Sequence, residues 1–205
     1  MGREAVCWAT FDGERAEGKA HLDTDALTFR GGFRLTIPYG EVRGAESEDG
    51  RLRVVFSGGE AVFELGTQAG AWEERILNPP SLMQKLGVKA GMRAGILGPV
   101  DSEFLDALSR SGVEMSGDSE GLEVVFVQVE EPGELSRLAE TRGMIRSDGM
   151  VWVISPKGRK DLRDIEVMAA GKAAGLVDVK VARFSESHTA LKFVVPKAER
   201  RVRDY

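Results

Sequence analysis

The apolar period of this chain changes once, and the change falls at a pair of prolines, Pro79-Pro80. Before them the apolar side chains recur every second residue. Leu27 and Phe29 alternate with polar neighbours, as do Phe33, Leu35 and Ile37, then Leu52, Val54 and Phe56, then Ala61, Phe63 and Leu65. Val6/Trp8 and Ala20/Leu22 follow the same rule more loosely. Turn pairs separate these runs: Asp12-Gly13, Gly31-Gly32, Asp49-Gly50 and Gly58-Gly59. Alternation bounded by such pairs predicts antiparallel hairpins, about seven short strands in all. Ala69, Trp72 and Ile76 then fall on one face of a helix. Consecutive prolines end that helix, because neither can donate a backbone hydrogen bond and each pushes its predecessor toward extended geometry.

After the prolines, strands and helices alternate. Ser81 can cap a short helix over 82–86, closed by Gly87. Apolar runs at 92–97, 113–115, 122–129 and 150–154 read as strands. LEVVFVQV, at 122–129, is too uniformly apolar for a solvated edge and predicts a central strand. Helices are expected over 101–110 (Phe104, Leu105 and Leu108 inward), 132–142 (Leu135, Leu138 and Ala139 inward) and 161–174 (Leu162, Ile165, Met168 and Ala169 inward). Segments 177–184 and 190–195 would close the chain as an antiparallel hairpin.

Composition narrows the class. The 205 residues are 42% hydrophobic and 30% charged, ordinary for a globular chain and unlike a disordered one. No apolar run approaches the roughly 20 residues of a membrane helix. The start, MGREAVCWATF, lacks the pattern of a signal peptide. One cysteine, Cys7, and two histidines, His21 and His188, exclude a disulfide framework and a zinc set. A reduced, cytoplasmic setting is therefore expected. Residues 1–78 carry 9 basic and 14 acidic side chains, leaving 19 of each in the rest. An acidic front half is a poor match for nucleic acid or anionic lipid, so neither is expected as a partner. Residues 197–205 read as a charged, flexible tail.

Order and aromatic placement give two resemblances. Seven strands and one amphipathic helix carrying Trp72 resemble a pleckstrin-homology-like barrel over residues 4–78. Lipid-binding members use a basic first loop, whereas 12–18 here holds three acids and one base. KLGVKAGMRAGIL, DGMVWVISPKG, AAGLVDVKV and HTALKFVVP resemble a bacterial family catalogued as domain of unknown function 3052, over about residues 82–196. That resemblance implies a Rossmann-like core related in layout to class I methyltransferases, and no established activity. The expected fold class is therefore α+β with two domains. Residues 1–78 form a pleckstrin-homology-like antiparallel barrel with a C-terminal helix. A linker and short helix occupy 79–87. Residues 88–196 form a three-layer Rossmann-like α/β domain with a terminal hairpin.

Each candidate site also has an ordinary structural reading. A dinucleotide or S-adenosylmethionine loop should follow the first strand of the second domain, but Gly98-Pro99-Val100-Asp101 has one glycine, a proline and an acid that suits a capped turn better. The ribose-binding acid of such sites would be Asp118 or Glu120, both in the polar loop SGDSEG. Ser155, Lys157, Gly158, Arg159 and Lys160 follow a central strand, where open sheets bind ligands, and could hold an anion. Asp161 and Asp164 can equally make that segment a solvated loop before a capped helix. Glu130 and Glu131 open a helix and read as dipole complements. His188 sits in a turn, SESH, where catalysis would need a positioned partner. Cys7 reads as a buried small hydrophobe. No catalytic residue, cofactor or metal is expected. The first functional reading is a non-enzymatic interaction or regulatory module that binds another protein. The alternatives are a small-anion (phosphate or nucleotide) binding protein at the carboxyl edge of the sheet, or a divergent methyltransferase.

Overall fold

The computed structural model describes residues 3–117 and 120–200. The chain divides into two compact units, Met1–Pro80 and Ser81–Tyr205.

The first unit holds seven strands: β1 (Arg3–Phe11), β2 (Glu14–Leu22), β3 (Ala26–Gly31), β4 (Arg34–Pro38), β5 (Val42–Glu48), β6 (Arg51–Phe56) and β7 (Gly59–Glu64). They form one antiparallel sheet in the order β4-β3-β2-β1-β7-β6-β5. Asp12 and Gly13, at φ 51° and 77°, and Asp49 and Gly50, at 49° and 77°, make the left-handed hairpin turns that Asp-Gly favours. Helix α1 (Ala69–Leu77) buries Ala69, Trp72 and Ile76 against the sheet's concave side, which is filled by Phe29, Leu52 and Phe63.

The expected closed barrel is corrected by this strand order. β4 and β5 are the two edges of an open, half-barrel sheet and do not pair with each other. β4 ends at Pro38, which has no N–H to donate, and a 3₁₀ turn at Tyr39–Glu41 takes the chain to the opposite edge. β5 meets β6 with a register shift between Val42 and Gly44.

The second unit opens with α2 (Leu82–Leu86). Ser81 Oγ accepts from the Gln84 amide at 3.2 Å, and Gln84 Oε1 accepts from the Ser81 amide at 2.9 Å. There follow β8 (Arg93–Leu97), α3 (Ser102–Arg110), β9 (Glu114–Met115), β10 (Leu122–Gln128), α4 (Leu138–Met144), β11 (Ile145–Pro156), α5 (Asp164–Ala173), β12 (Val177–Arg183) and β13 (His188–Val194). The sheet order is β12-β13-β11-β10-β8-β9. β9, β8, β10 and β11 run parallel, β13 returns antiparallel to β11, and β12 runs antiparallel to β13. β10 is fully flanked, and its Val124, Val125, Phe126 and Val127 are all inaccessible to solvent.

A three-layer Rossmann-like domain is also corrected. The sheet is mixed and its helices are few and short. β9 has two residues. Between β9 and β10 the sequence SGDSEG offers no apolar side chain to bury, and its described residues form no helix. The expected helix over 132–142 is a 3₁₀ segment, Pro132–Arg137, followed by the seven residues of α4. In α5 the inward side chains are Val167 and Gly171, while Ile165 is 64% exposed. In α3, Phe104 and Leu108 are buried and Leu105 is exposed. Of the expected tail, Lys197–Glu199 form a 3₁₀ turn, and Arg200 Nε donates to the Val195 carbonyl at 2.9 Å. Residues 201–205 lie outside the described residues.

Candidate functional site at the carboxyl edge of the second sheet

The parallel strands β8, β10 and β11 end on one edge. The turn after β8 is closed by the chain itself. Gly98 has φ 90°, and a Cβ there would lie 2.6 Å from the Gln128 carbonyl and 2.9 Å from Arg137 Nη1. Arg137 Nη1 donates to that same carbonyl at 3.0 Å. Asp101 Oδ1 accepts from the Phe104 amide at 2.6 Å and so caps α3. Glu120 is exposed, and Asp118 lies outside the described residues.

After β10, Glu134 Oε2 accepts from the amides of Glu130 at 2.7 Å and Glu131 at 3.1 Å. Those two backbone donors hold its carboxyl below the usual carboxylate range. Glu131 is engaged by Arg159 through two hydrogen bonds of 2.9 and 3.0 Å. Arg159 also donates to Asp161, at 2.9 and 2.5 Å, and to the Glu130 carbonyl at 2.8 Å. Hydrogen bonding to the guanidinium lowers both carboxyl pKa values and raises that of Arg159.

The five residues expected to bind an anion therefore separate. Arg159 is saturated by two carboxylates and a carbonyl and ties the β11 loop to the end of β10. Ser155 is 1% exposed, and its hydroxyl has no partner among the described residues. Gly158, at φ 73°, turns the loop. Lys157 Nζ donates to the carbonyls of Ser185, at 2.6 Å, and Glu186, at 3.2 Å. Carbonyls carry no net charge, so the ammonium remains uncompensated. Lys160 is exposed and has no partner among the described residues. Lys157, Arg159, Lys160, Arg163 and Gly158 line a depression of about 610 Å³ together with Asp164, Thr189, Pro156, Leu162 and Ile165. Arg163 there is paired with Glu166 at 2.5 Å.

His188, placed in a turn by sequence reasoning, has a partner that sequence reasoning missed. Its Nε2 lies 3.0 Å from Glu130 Oε1, fifty-eight residues away. No local pattern marks that contact; it arises because β13 pairs with β11 and brings His188 opposite Pro156. His21 meets Asp23 at 2.9 Å in the first unit. Cys7 is buried, and desolvation pushes its thiol up to about 11. Among the described residues, no group of three or more His, Cys, Asp or Glu is placed to hold a metal ion, and no helix is long and apolar enough to cross a membrane.

No family model matches the chain, and no curated protein matches it. It is similar to several solved structures. A fibrillarin pre-rRNA processing protein from Methanococcus jannaschii is 12% identical, over 85% of this chain and 95% of that one, with a TM-score of 0.39. A TehB-like SAM-dependent methyltransferase from Corynebacterium glutamicum is 10% identical, over 62% of this chain and 96% of that one, with a TM-score of 0.38. A SAM-dependent methyltransferase from Aquifex aeolicus is 13% identical, over 56% and 88%, with a TM-score of 0.39. The turn after β8 is not the glycine-rich loop that an S-adenosylmethionine site needs. The approach at Gly98 is taken by Gln128 and Arg137, Pro99 has no N–H, and Asp101 already serves α3.

Proposed function

We propose that the second unit binds a small organic anion, a phosphate on an apolar body such as a nucleoside monophosphate, in the depression at the end of β11. One observation carries this reading. Lys157 and Lys160, neither paired with a carboxylate among the described residues, stand beside Pro156 and the exposed apolar side chain of Ile165. The phosphate would take the two ammonium groups and the apolar body would cover Ile165. Charge-assisted hydrogen bonds of this kind contribute about 1.5–3 kcal/mol each, roughly ten- to a hundredfold in affinity. Arg159 holds the loop in place rather than meeting the ligand. The interaction-module reading rested on a missing cofactor loop joined to a barrel fold that mostly binds, and the first sheet is open rather than a barrel.

The test is isothermal titration of the full chain with adenosine monophosphate, inorganic phosphate and S-adenosylmethionine. Binding of the monophosphate that weakens at least tenfold in Lys157→Ala and again in Lys160→Ala supports the reading. Absence of monophosphate binding, or binding indifferent to both substitutions, sinks it. Tight S-adenosylmethionine binding unaffected by either lysine would put a methyltransferase in its place.

A further inference from the structure

The turn between β12 and β13 holds a relay that the anion site does not use. Glu130 Oε1, at the end of β10, lies 3.0 Å from His188 Nε2. His188 Nδ1 lies 2.8 Å from Ser187 Oγ. The protons in this chain are fixed by chemistry. An ionised carboxylate can only accept, so Nε2 carries the imidazole hydrogen and donates it to Glu130. In the neutral imidazole of that tautomer Nδ1 is a lone pair, and Ser187 O–H donates to it. The carboxylate is itself held, because Gln128 Nε2 donates to the same Oε1 at 2.6 Å. The histidine backbone is held as well, since its amide donates to Ser185 Oγ at 3.0 Å.

We propose that Ser187 is an acyl-transfer nucleophile acting on small, activated carboxylic esters, with His188 as its general base and Glu130 as the positioning residue. A hydroxyl hydrogen-bonded to an imidazole that is oriented by a third group is the arrangement that makes serine reactive. Ser187 is exposed while His188 is 21% exposed, so the nucleophile meets solvent and the base is shielded beneath it. The amides of Glu186 and Ser187 donate to no partner among the described residues. The turn carrying them is fastened to β11. Lys157 N donates to the Ser187 carbonyl at 2.8 Å, and Lys157 Nζ donates to the carbonyls of Ser185 and Glu186.

In the reaction, Ser187 Oγ forms a bond to the ester carbonyl carbon as its proton passes to His188 Nδ1. The bond from that carbon to the alcohol oxygen breaks, and the leaving oxygen takes the proton from Nδ1. Water then attacks the acyl-serine, gives its proton to Nδ1, and the carboxylic acid leaves as Ser187 recovers a hydrogen. No oxidant or metal enters.

The full chain is incubated with a fluorophosphonate probe, and the adduct is located by peptide mass spectrometry; release of p-nitrophenol from p-nitrophenyl acetate is followed in parallel. The expected result is one adduct, on Ser187, and ester turnover that disappears in Ser187→Ala. Ser187 is exposed, so this substitution leaves folding intact. His188→Gln should slow labelling about a hundredfold or more, the usual worth of a positioned general base. Glu130→Ala should slow labelling more than Glu130→Gln, which keeps an acceptor for Nε2, with urea midpoints unchanged. An unlabelled Ser187, an adduct elsewhere, or a labelling rate untouched by His188→Gln overturns the proposal.

Discussion

Gly171 sits in the middle of α5, against the ring of Phe193 on β13. A Cβ at this position would lie 2.2 Å from Phe193 Cε1, 2.6 Å from Cδ1 and 2.8 Å from Cζ. Ordinary contact begins near 3.4 Å, so Gly171→Ala must move the ring by about 1.2 Å. Phe193 has nowhere to go. It is inaccessible to solvent, it pairs with Val151 on one side and Asp178 on the other, and it packs in the cluster of Val151, Val153, Val167 and Leu191. Overpacking of this kind costs about 1–3 kcal/mol. Replacing a mid-helix glycine by alanine gains up to about 1 kcal/mol. The first effect wins, and the variant should be about 1–2 kcal/mol less stable than the parent. Gly143, in α4, is the control. Nothing lies within 4 Å of its Cβ position, so Gly143→Ala should gain about 0.5–1 kcal/mol. Urea titration by circular dichroism, with hydrogen exchange read at the β11 amides to isolate the second unit, measures both. If Gly171→Ala matches or exceeds the parent in stability, the helix does not seat on Phe193 as described.

Three further outcomes follow from buried groups. Trp152 Nε1 donates to the Leu86 carbonyl at 2.9 Å; Trp152→Phe should cost about 1–3 kcal/mol in urea unfolding through the orphaned carbonyl alone, and an unchanged midpoint would show the bond to be idle. Ser155→Ala removes a buried hydroxyl without a partner and should be neutral or stabilising by up to about 1 kcal/mol; a clear loss of stability would mean that the hydroxyl is satisfied in solution. Burial raises the Cys7 thiol to about 11 from its ordinary value of 9.0, so native protein should react slowly with iodoacetamide at pH 9 while urea-unfolded protein reacts fast. The sign for stability follows. Below the unfolded value both states keep the proton, and between about 9 and 11 only the unfolded state ionises, so this contribution fades as pH rises through that window. Equal alkylation rates in the two states would refute it.

The sequence was most readable where a local rule fixes local geometry. The two Asp-Gly pairs adopt the left-handed conformations their composition demands, and α1 presents Ala69, Trp72 and Ile76 as their spacing predicts. Reading failed where contact depends on another element. β5 has almost no apolar period, because only Ala45 and the partly buried Val42 face the core. The face of α5 is read in part: Leu162 and Met168 pack in the core, whereas Ile165 and Ala169 are exposed, and Gly171, whose missing side chain lets Phe193 in, carries no apolar signal. Closure of the first sheet is a relation between β4 and β5, and neither strand's pattern records it. The candidate site divides in the same way. The basic loop was visible from its composition, but the sequence could not show that Arg159 is consumed by Glu131 and Asp161, nor that Glu130 reaches His188 across the end of the sheet.

α2 is the first element of the second unit, yet two residues far downstream secure it. Trp152 reaches the carbonyl of Leu86, and Lys180 Nζ reaches that of Lys85 at 2.9 Å, across 66 and 95 residues. A five-residue helix does not persist alone in water. On a growing chain, therefore, α2 emerges early and waits. The two bonds to its last carbonyls cannot form until β11 and β12 have been made. At about 5–20 residues per second of synthesis, that interval lasts several seconds. The start of the unit is in this sense the last part to be finished.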